Sequence, residues 1–267
     1  MTSRALTAWV GRAGRRRRAT NAGAVGSPGS TTATPILDHG SREVQHLLRD
    51  CVGATAGGDV REVLRVAHRV VAQRVRPVYA VHDTQPVSRT LRRGRGSCSQ
   101  RLAVLEAVAR ATGVRTRSRG LLLDGRFWYP RFPGLRAVVP DQVVLAWPEF
   151  HVDGVWLDSS ALLGVTAGTE PGARTVGFSN AGEETLFEAV GRGAVRWETS
   201  PDRGRDGHDQ PVAGCDTCSL SGWVLAELGR YGSRDELFAV HGQTLCWLAR
   251  TASGPVLSRW SAGAAAS

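Results

Sequence analysis

The chain has 267 residues, with 42% hydrophobic and 22% charged side chains, which is ordinary for a globular protein of one or two domains. Its formal charge of +10 does not indicate a nucleic-acid-binding surface, because six arginines fall within the first eighteen residues and the rest of the chain carries only +4. No apolar stretch reaches the roughly 18 residues that a bilayer-spanning helix needs. We therefore expect a protein that binds neither membranes nor nucleic acid.

Residues 1–38 are rich in Arg, Gly, Ser, Thr and Ala without hydrophobic periodicity, which predicts a disordered tail. The run RAGRRRR has no interleaved aromatic residue and precedes no apolar run, so it is typical of neither a nucleic-acid site nor an export signal. All 34 basic residues are arginine, which indicates a GC-rich bacterial genome. Five cysteines without an export signal predict reduced thiols and a cytoplasmic location.

Two amphipathic helices are predicted after the tail, over SREVQHLLRDCV and GDVREVLRVAHRVVAQRV, with Asp59 as the cap of the second. A turn-rich connector, VHDTQPVSRTLRRGRG, then leads to Cys98. From Ser99 the apolar spacing predicts another helix with one buried side, which ends at Gly113.

Strands are predicted next, over VRTRSRGLLLD, RFWY, VVLAWPEFHV and VWLD, with a turn at Asp153 and Gly154. Beyond them, SNAGEETLFEAV predicts a helix capped by Ser179 or Asn180, and a helical region is expected from Ser221 to Ala249. The order of elements predicts an α+β fold, in which the helix after Cys98 packs on an antiparallel sheet and further helices flank this core.

Cys98 has the position of a candidate nucleophile. A cysteine at a helix N-terminus meets unpaired backbone N–H groups and the positive end of the helix dipole, which both favour the thiolate, and Arg93 and Arg95 add positive charge. A cysteine hydrolase or transferase also needs an imidazole to move protons and an acid to orient the imidazole. The alternative is that Cys98 is a buried thiol with a purely structural role in core packing.

Two sequence blocks resemble the transglutaminase-like family of papain-like cysteine enzymes. The first is TLRRGRGSCSQRLAVLEAVARATGVRTRSRG, whose matching residues are Gly96, Cys98, Ala111, Gly113, Val114, Thr116 and Arg117. The second is LAWPEFHVDGVWLDSS, whose matching residues are Ala146, Trp147, Glu149, Asp153, Gly154 and Trp156. The resemblance covers about residues 88–160.

This resemblance implies a transglutaminase-like domain over 39–267 with a papain-like core. It implies thiol-dependent acyl transfer or amide hydrolysis through Cys98, on a peptide or protein substrate, without a cofactor or a metal ion. Trp128, Trp147 and Glu149 are then expected to line the substrate cleft, although aromatic residues on strands are more often core. The oligomeric state stays open.

The second block departs from the family pattern at its most important position. Leu145 stands where the family carries its catalytic histidine, and an aliphatic side chain cannot carry a proton. Asp158 is the candidate acid, although the family's spacing would place Ser160 there. His151 is the candidate replacement base, although it lies six residues, or roughly 20 Å, along the strand from position 145. His82 in the connector is a further, weaker candidate.

Two functional hypotheses therefore remain. In the first, Cys98 forms an acyl-enzyme and the protein is a cysteine-dependent acyltransferase or peptidase. In the second, the protein is a pseudoenzyme, a scaffold whose cleft holds a peptide, an acyl group or a partner without turnover.

Cys215 and Cys218 form a CxxC pair, with His208 before it and His241 and Cys246 after it. This pattern is compatible with a zinc site, with a redox pair and with structural thiols. A single CxxC without a second matched pair of ligands is a weak signal for a metal site.

Overall fold

The computed structural model describes residues 27–55, 59–79, 82–132, 136, 139–164, 177–197 and 219–244. The described chain confirms the expected mixed α+β class, with helices packed on an antiparallel sheet. The helices are α1 (Arg42–Gly53), α2 (Val60–Arg74), α3 (Val87–Arg93), α4 (Cys98–Ala111), α5 (Ser159–Leu163), α6 (Leu186–Gly191) and α7 (Arg234–His241). The strands are β1 (Arg76–Pro77), β2 (Arg95–Gly96), β3 (Thr116–Asp124), β4 (Gln142–Val152), β5 (Val155–Asp158) and β6 (Val224–Tyr231).

The main sheet has the strand order β5-β4-β3-β6 and is antiparallel throughout. The register of β3 with β4 runs without a shift from Thr116 opposite Phe150 to Asp124 opposite Gln142. Asp153 and Gly154 both have positive φ, 54° and 79°, which suits the two-residue hairpin turn predicted between β4 and β5.

Helix α4 is the central helix of the described fold. It contacts α1, α2, α3 and α6 as well as β3 and β4, so that it is buried on every side. Its predicted apolar stripe is fully buried, and so are three charged side chains, those of Arg101, Glu106 and Arg110. A buried charge is tolerated only where it is paired and hydrogen-bonded.

Glu106 is the centre of the resulting polar network. Its carboxylate accepts from Arg234 Nε at 2.7 Å, and Arg110 Nη2 lies 3.7 Å away. The hydroxyls of Thr116 and Ser118 also donate to it, each at 3.3 Å. Because these partners come from α7, α4 and β3, the network fixes the position of α4 against the sheet.

The boundary of the predicted tail was wrong at its C-terminal end. Residues 1–26 lie outside the described residues, but residues 27–38 pack against the domain. Ile36 and Leu37 are buried in the core, and Ser30 forms an isolated bridge with Thr116 at the start of β3. The two buried aliphatic residues follow a polar, Thr-rich run, so no periodicity signalled them.

The connector and the RFWY segment also differ from prediction. Helix α3 lies within the supposedly turn-rich connector and ends at Gly94, which has a left-handed φ of 58°. RFWY is part of a 3-10 helix over Gly125–Arg131, capped by the side chain of Asp124. The chain leaves the sheet at Gly125, where a Cβ would lie only 1.7 Å from the carbonyl oxygen of Pro140. Phe127 is instead buried among other aromatic rings.

The C-terminal region contains a strand where a helix was expected. Ala, Glu and Leu favour helix in isolation, yet Val224–Tyr231 forms β6 and pairs with β3. Gly229 has a φ of 98°, which a helix interior does not accommodate. Helix α6 is confirmed, but its cap is Thr185, which forms a capping box with Glu188, and is neither Ser179 nor Asn180.

We predict that Glu106→Gln lowers the free energy of unfolding by about 3 to 5 kcal/mol, because it leaves the buried guanidinium of Arg234 without a counter-charge. Urea denaturation measures this loss. The matched control is Glu62→Gln on the exposed face of α2, where the partners Arg65 and Arg69 are solvated and the loss should stay within about 1 kcal/mol. Equal effects of the two substitutions would contradict the role of the network.

Candidate active site

Cys98 is the first residue of α4, as predicted. Ser97 is the N-cap, and it forms a capping box in which Gln100 N–H donates to Ser97 Oγ while Ser97 N–H donates to Gln100 Oε1. The box holds the first turn of the helix in place. Cys98 is half-buried and lies on the wall of a cavity of about 210 Å³.

The cavity wall is mainly apolar. Its apolar and aromatic side chains are Val78, Phe127, Trp128, Phe132, Val139, Pro140, Val143, Val144, Leu145 and Leu186. Its polar side chains are Tyr79, Asp83, Ser97, Cys98, Ser99, Arg131, Asn180, Thr185 and Thr244. A concave apolar site with a few polar groups at defined places is typical of small-ligand pockets.

Leu145 lies on the same cavity wall as Cys98. It is buried within β4, opposite Leu121 of β3. The strand thus brings the position that differs from the family pattern to the cavity of the thiol. No histidine is found among the described residues that line this cavity, so the described wall offers no imidazole to exchange a proton with Cys98.

Tyr79 and Arg131 are wall residues that sequence reasoning missed. Burial raises the pKa of Tyr79 to about 12, so its hydroxyl stays protonated and can donate a hydrogen bond. Arg131 is buried at 7% exposure, and it donates to Asn180 Oδ1 at 2.9 Å and to the carbonyl oxygen of Glu184. Both residues come from segments without helical or strand periodicity, so no sequence pattern indicated that they lie on the same cavity wall.

His151 is not brought to Cys98. It lies near the far end of β4, opposite Trp156 of β5, and its ring centroid is 5.1 Å from that of Trp156. Its Nδ1 is 3.0 Å from Arg115 Nη2. Because β4 pairs with β3 in an unbroken register, no bulge re-aims the strand between positions 145 and 151. The proposed role of His151 as base therefore has no geometric support.

Asp158 serves as a helix cap in this fold. It lies opposite Glu149 in the β4–β5 register, and its carboxylate accepts from the backbone N–H of Ala161 at 2.7 Å, at the start of α5. It does not line the Cys98 cavity. Ser160, the residue at the family's spacing, is buried, and its hydroxyl has no hydrogen-bond partner among the described residues.

Of the three residues predicted to bind substrate, only Trp128 lies on the cavity wall. Trp147 is fully buried, and its ring packs edge-on against Trp197 at 5.5 Å between centroids. Glu149 forms ion pairs with Arg117 at 2.5 Å and with Arg230 at 3.1 Å. The structure therefore places Trp147 in the core and Glu149 in a cross-strand ion cluster.

The remaining described histidines near α4 occupy other places. His82 is exposed, but its carbonyl oxygen accepts from Gln100 Nε2 at 2.9 Å, which ties its backbone to the first turn of α4. His68 is a buried residue of α2 that packs against α6, where its Nε2 lies 2.8 Å from the carbonyl oxygen of Phe187. Burial lowers the pKa of His68, so its ring is neutral at physiological pH and acts in packing.

The CxxC pair, Cys215 and Cys218, lies outside the described residues, as do His208 and Cys246. His241 is described, and its Nε2 lies 2.6 Å from the hydroxyl of Tyr231. Within the described part of the chain, no group of three or more metal-ligating side chains is found. None of the helices in that part has both the length and the apolar content to cross a bilayer.

Comparison with known proteins gives no relative: no protein-family model, no curated protein and no solved structure matches the chain.

We predict that iodoacetamide alkylates Cys98 and spares Cys51 in the native protein near neutral pH. Cys98 opens onto a cavity, whereas Cys51 is fully buried in α1 and burial raises its pKa to about 11. Because only the thiolate reacts, Cys51 should become reactive only as the pH approaches that value or the protein unfolds. Peptide mass spectrometry reads each site separately, and equal labelling of the two thiols in the folded protein would refute the assignment.

Proposed function

We propose that the protein is a transglutaminase-like scaffold with a papain-like core, and that it holds an apolar side chain or acyl group of a peptide or protein ligand in the Cys98 cavity without cleaving amides. The observation that carries this proposal is the shared cavity wall of Cys98 and Leu145, on which the described residues include no histidine. Trp128 on that wall would contact the ligand.

The arrangement of the two sequence blocks supports the family assignment. The first block forms α4 and the start of β3, and the second forms β4 and β5. Arg117 of the first block lies directly opposite Glu149 of the second, and the two form an ion pair. One residue from each of the two blocks thus meets the other in a cross-strand ion pair.

The composition of the cavity supports a binding role. An apolar wall gains free energy when it excludes water, at about 25 cal/mol per Å² of buried apolar surface. The Tyr79 hydroxyl adds a hydrogen-bond donor, which suits a carbonyl or carboxylate oxygen at the polar end of the ligand. A side chain or acyl group with an apolar body and an oxygen-bearing end matches both features.

Amide cleavage has poor support because an amine leaving group must receive a proton as it departs. Leu145 cannot supply one. The Tyr79 hydroxyl, whose pKa is raised to about 12, is a weak acid. This reasoning favours binding over turnover at the Cys98 cavity.

A second candidate function is thiol-dependent acyl transfer or amide hydrolysis through Cys98. The observation that favours it is Asp83, a carboxylate that lies on the same cavity wall as the thiol. A carboxylate beside a thiol is a candidate acceptor for the thiol proton, although carboxylates return a proton to a departing amine poorly.

We place this function in the cytoplasm, where thiols stay reduced. Among the described residues, Cys51 and Cys98 form no disulfide.

The proposal predicts that N-acetyl-phenylalanine amide binds the cavity and is not hydrolysed. Val143→Phe, which fills part of the cavity, should weaken binding by at least about tenfold in isothermal titration calorimetry. Val155→Phe on an exposed position of β5 is the matched control and should leave binding unchanged.

The same protein, given a glutaminyl peptide and hydroxylamine, should form no hydroxamate above the background of Cys98→Ala. Turnover that depends on Cys98 would establish the second candidate function instead.

A further inference from the structure

Whether an acyl-transfer reaction needs an acid catalyst depends on whether its leaving group must be protonated as it departs. An amine is a very poor leaving group unless it is protonated, which is the task of the histidine that Leu145 replaces. A thiol has an ordinary pKa near 8.5, so it departs as the thiolate without an acid. Substitution of the proton carrier by Leu145 therefore blocks amide cleavage far more strongly than exchange between two thiols.

The first turn of α4 offers donors to a carbonyl oxygen. The capping box occupies the N–H groups of Ser97 and Gln100, and the first intrahelical bond runs from Arg101 N–H to the carbonyl oxygen of Ser97. The N–H groups of Cys98 and Ser99 have no acceptor among the described residues, as the first turn of a helix leads one to expect. Both residues line the cavity, so these donors can stabilise negative charge on a carbonyl oxygen held at the thiol.

The size and wall chemistry of the cavity define the acyl group. Its volume of about 210 Å³ exceeds the roughly 150 Å³ of an engineered apolar protein cavity that binds benzene. Phe127, Trp128 and Phe132 give it an aromatic side, and the β4 residues Val143 and Leu145 give it an aliphatic side. An aromatic or branched acyl group fills such a space, whereas an acetyl group leaves most of it empty.

We infer that Cys98 exchanges acyl groups with thioesters of aromatic or bulky aliphatic carboxylic acids, and that the acyl group occupies the apolar cavity. This inference rests on the proposed function, because the same cavity must bind the acyl group. In the reaction, Cys98 releases its proton to solvent and Sγ attacks the carbonyl carbon. A new carbon–sulfur bond forms, the original carbon–sulfur bond breaks, and the donor thiol leaves as a thiolate that takes a proton from solvent. No oxidation or reduction occurs.

The test uses the full chain and three small probes, S-phenylacetyl-N-acetylcysteamine, its S-acetyl analogue and phenylacetamide. Mass spectrometry of the digested protein measures acylation at each cysteine. We expect the phenylacetyl thioester to load Cys98 at least about tenfold faster than it loads free N-acetylcysteine at the same pH, while phenylacetamide loads nothing. Cys98→Ala should abolish this loading, and the buried Cys51 is the internal control.

Val143→Phe separates selection by the cavity from simple thiol reactivity. It should slow loading by the phenylacetyl thioester by a much larger factor than loading by the smaller acetyl thioester, whereas Val155→Phe on the exposed part of β5 should change neither. Equal loading by the acetyl and phenylacetyl thioesters in the wild-type protein would overturn the inference.

The failure of this inference is distinguishable from the failure of the proposed function. If N-acetyl-phenylalanine amide binds but no thioester loads Cys98, the exchange reaction is refuted and the binding role stands. If the thioester and phenylacetamide both acylate Cys98, the site contains a group that can protonate a departing amine. The inference that Cys98 reacts only with thioesters is then wrong, and so is the proposal that the protein binds its ligand without cleaving amides.

Discussion

The burial of α4 on every side is the constraint on which the rest of the described structure depends. Three charged side chains of this helix, Arg101, Glu106 and Arg110, are removed from water, so each must find partners on the surrounding elements. Glu106 connects α4 both with Thr116 of β3 and with Arg234 of α7. A helix held by such a network has little freedom to slide or rotate, and its first residue, Cys98, is fixed at the cavity wall.

The register of β3 with β4 gives the site its second fixed side. It sets Arg117 opposite Glu149 and Leu121 opposite Leu145, and it brings Leu145 to the cavity that Cys98 lines. The side chains of Cys98 and Leu145 determine the chemistry of this cavity. A thiol is present, but the described wall carries an aliphatic group where proton transfer would need an imidazole. This combination favours binding an acyl group, or exchanging it between thiols, over cleaving an amide.

Strong local patterns predicted the elements that form the site. The apolar spacing of α4 and the Asp-Gly turn between β4 and β5 agree with the tertiary contacts that these segments make. Prediction failed where distant contacts decide the conformation. Val224–Tyr231 has helix-forming residues but pairs with β3, and the packing of Ile36 and Leu37 has no periodicity to reveal it. The assembly of Tyr79, Asp83 and Arg131 around Cys98 depends on irregular segments, which sequence patterns describe poorly.

The substitution Leu145→His tests most directly whether position 145 faces the thiol of Cys98. It also tests whether an imidazole at this position is enough to restore proton transfer with that thiol. The measurement is the rate of Cys98 alkylation by iodoacetamide near neutral pH, resolved by peptide, in Leu145→His, in the wild-type protein and in Val143→His on the same strand. An imidazole beside the thiol promotes the thiolate, so we predict that Leu145→His accelerates alkylation at least about tenfold and that Val143→His does so much less. A rate in Leu145→His that equals the wild-type rate, or that Val143→His matches, would contradict the account.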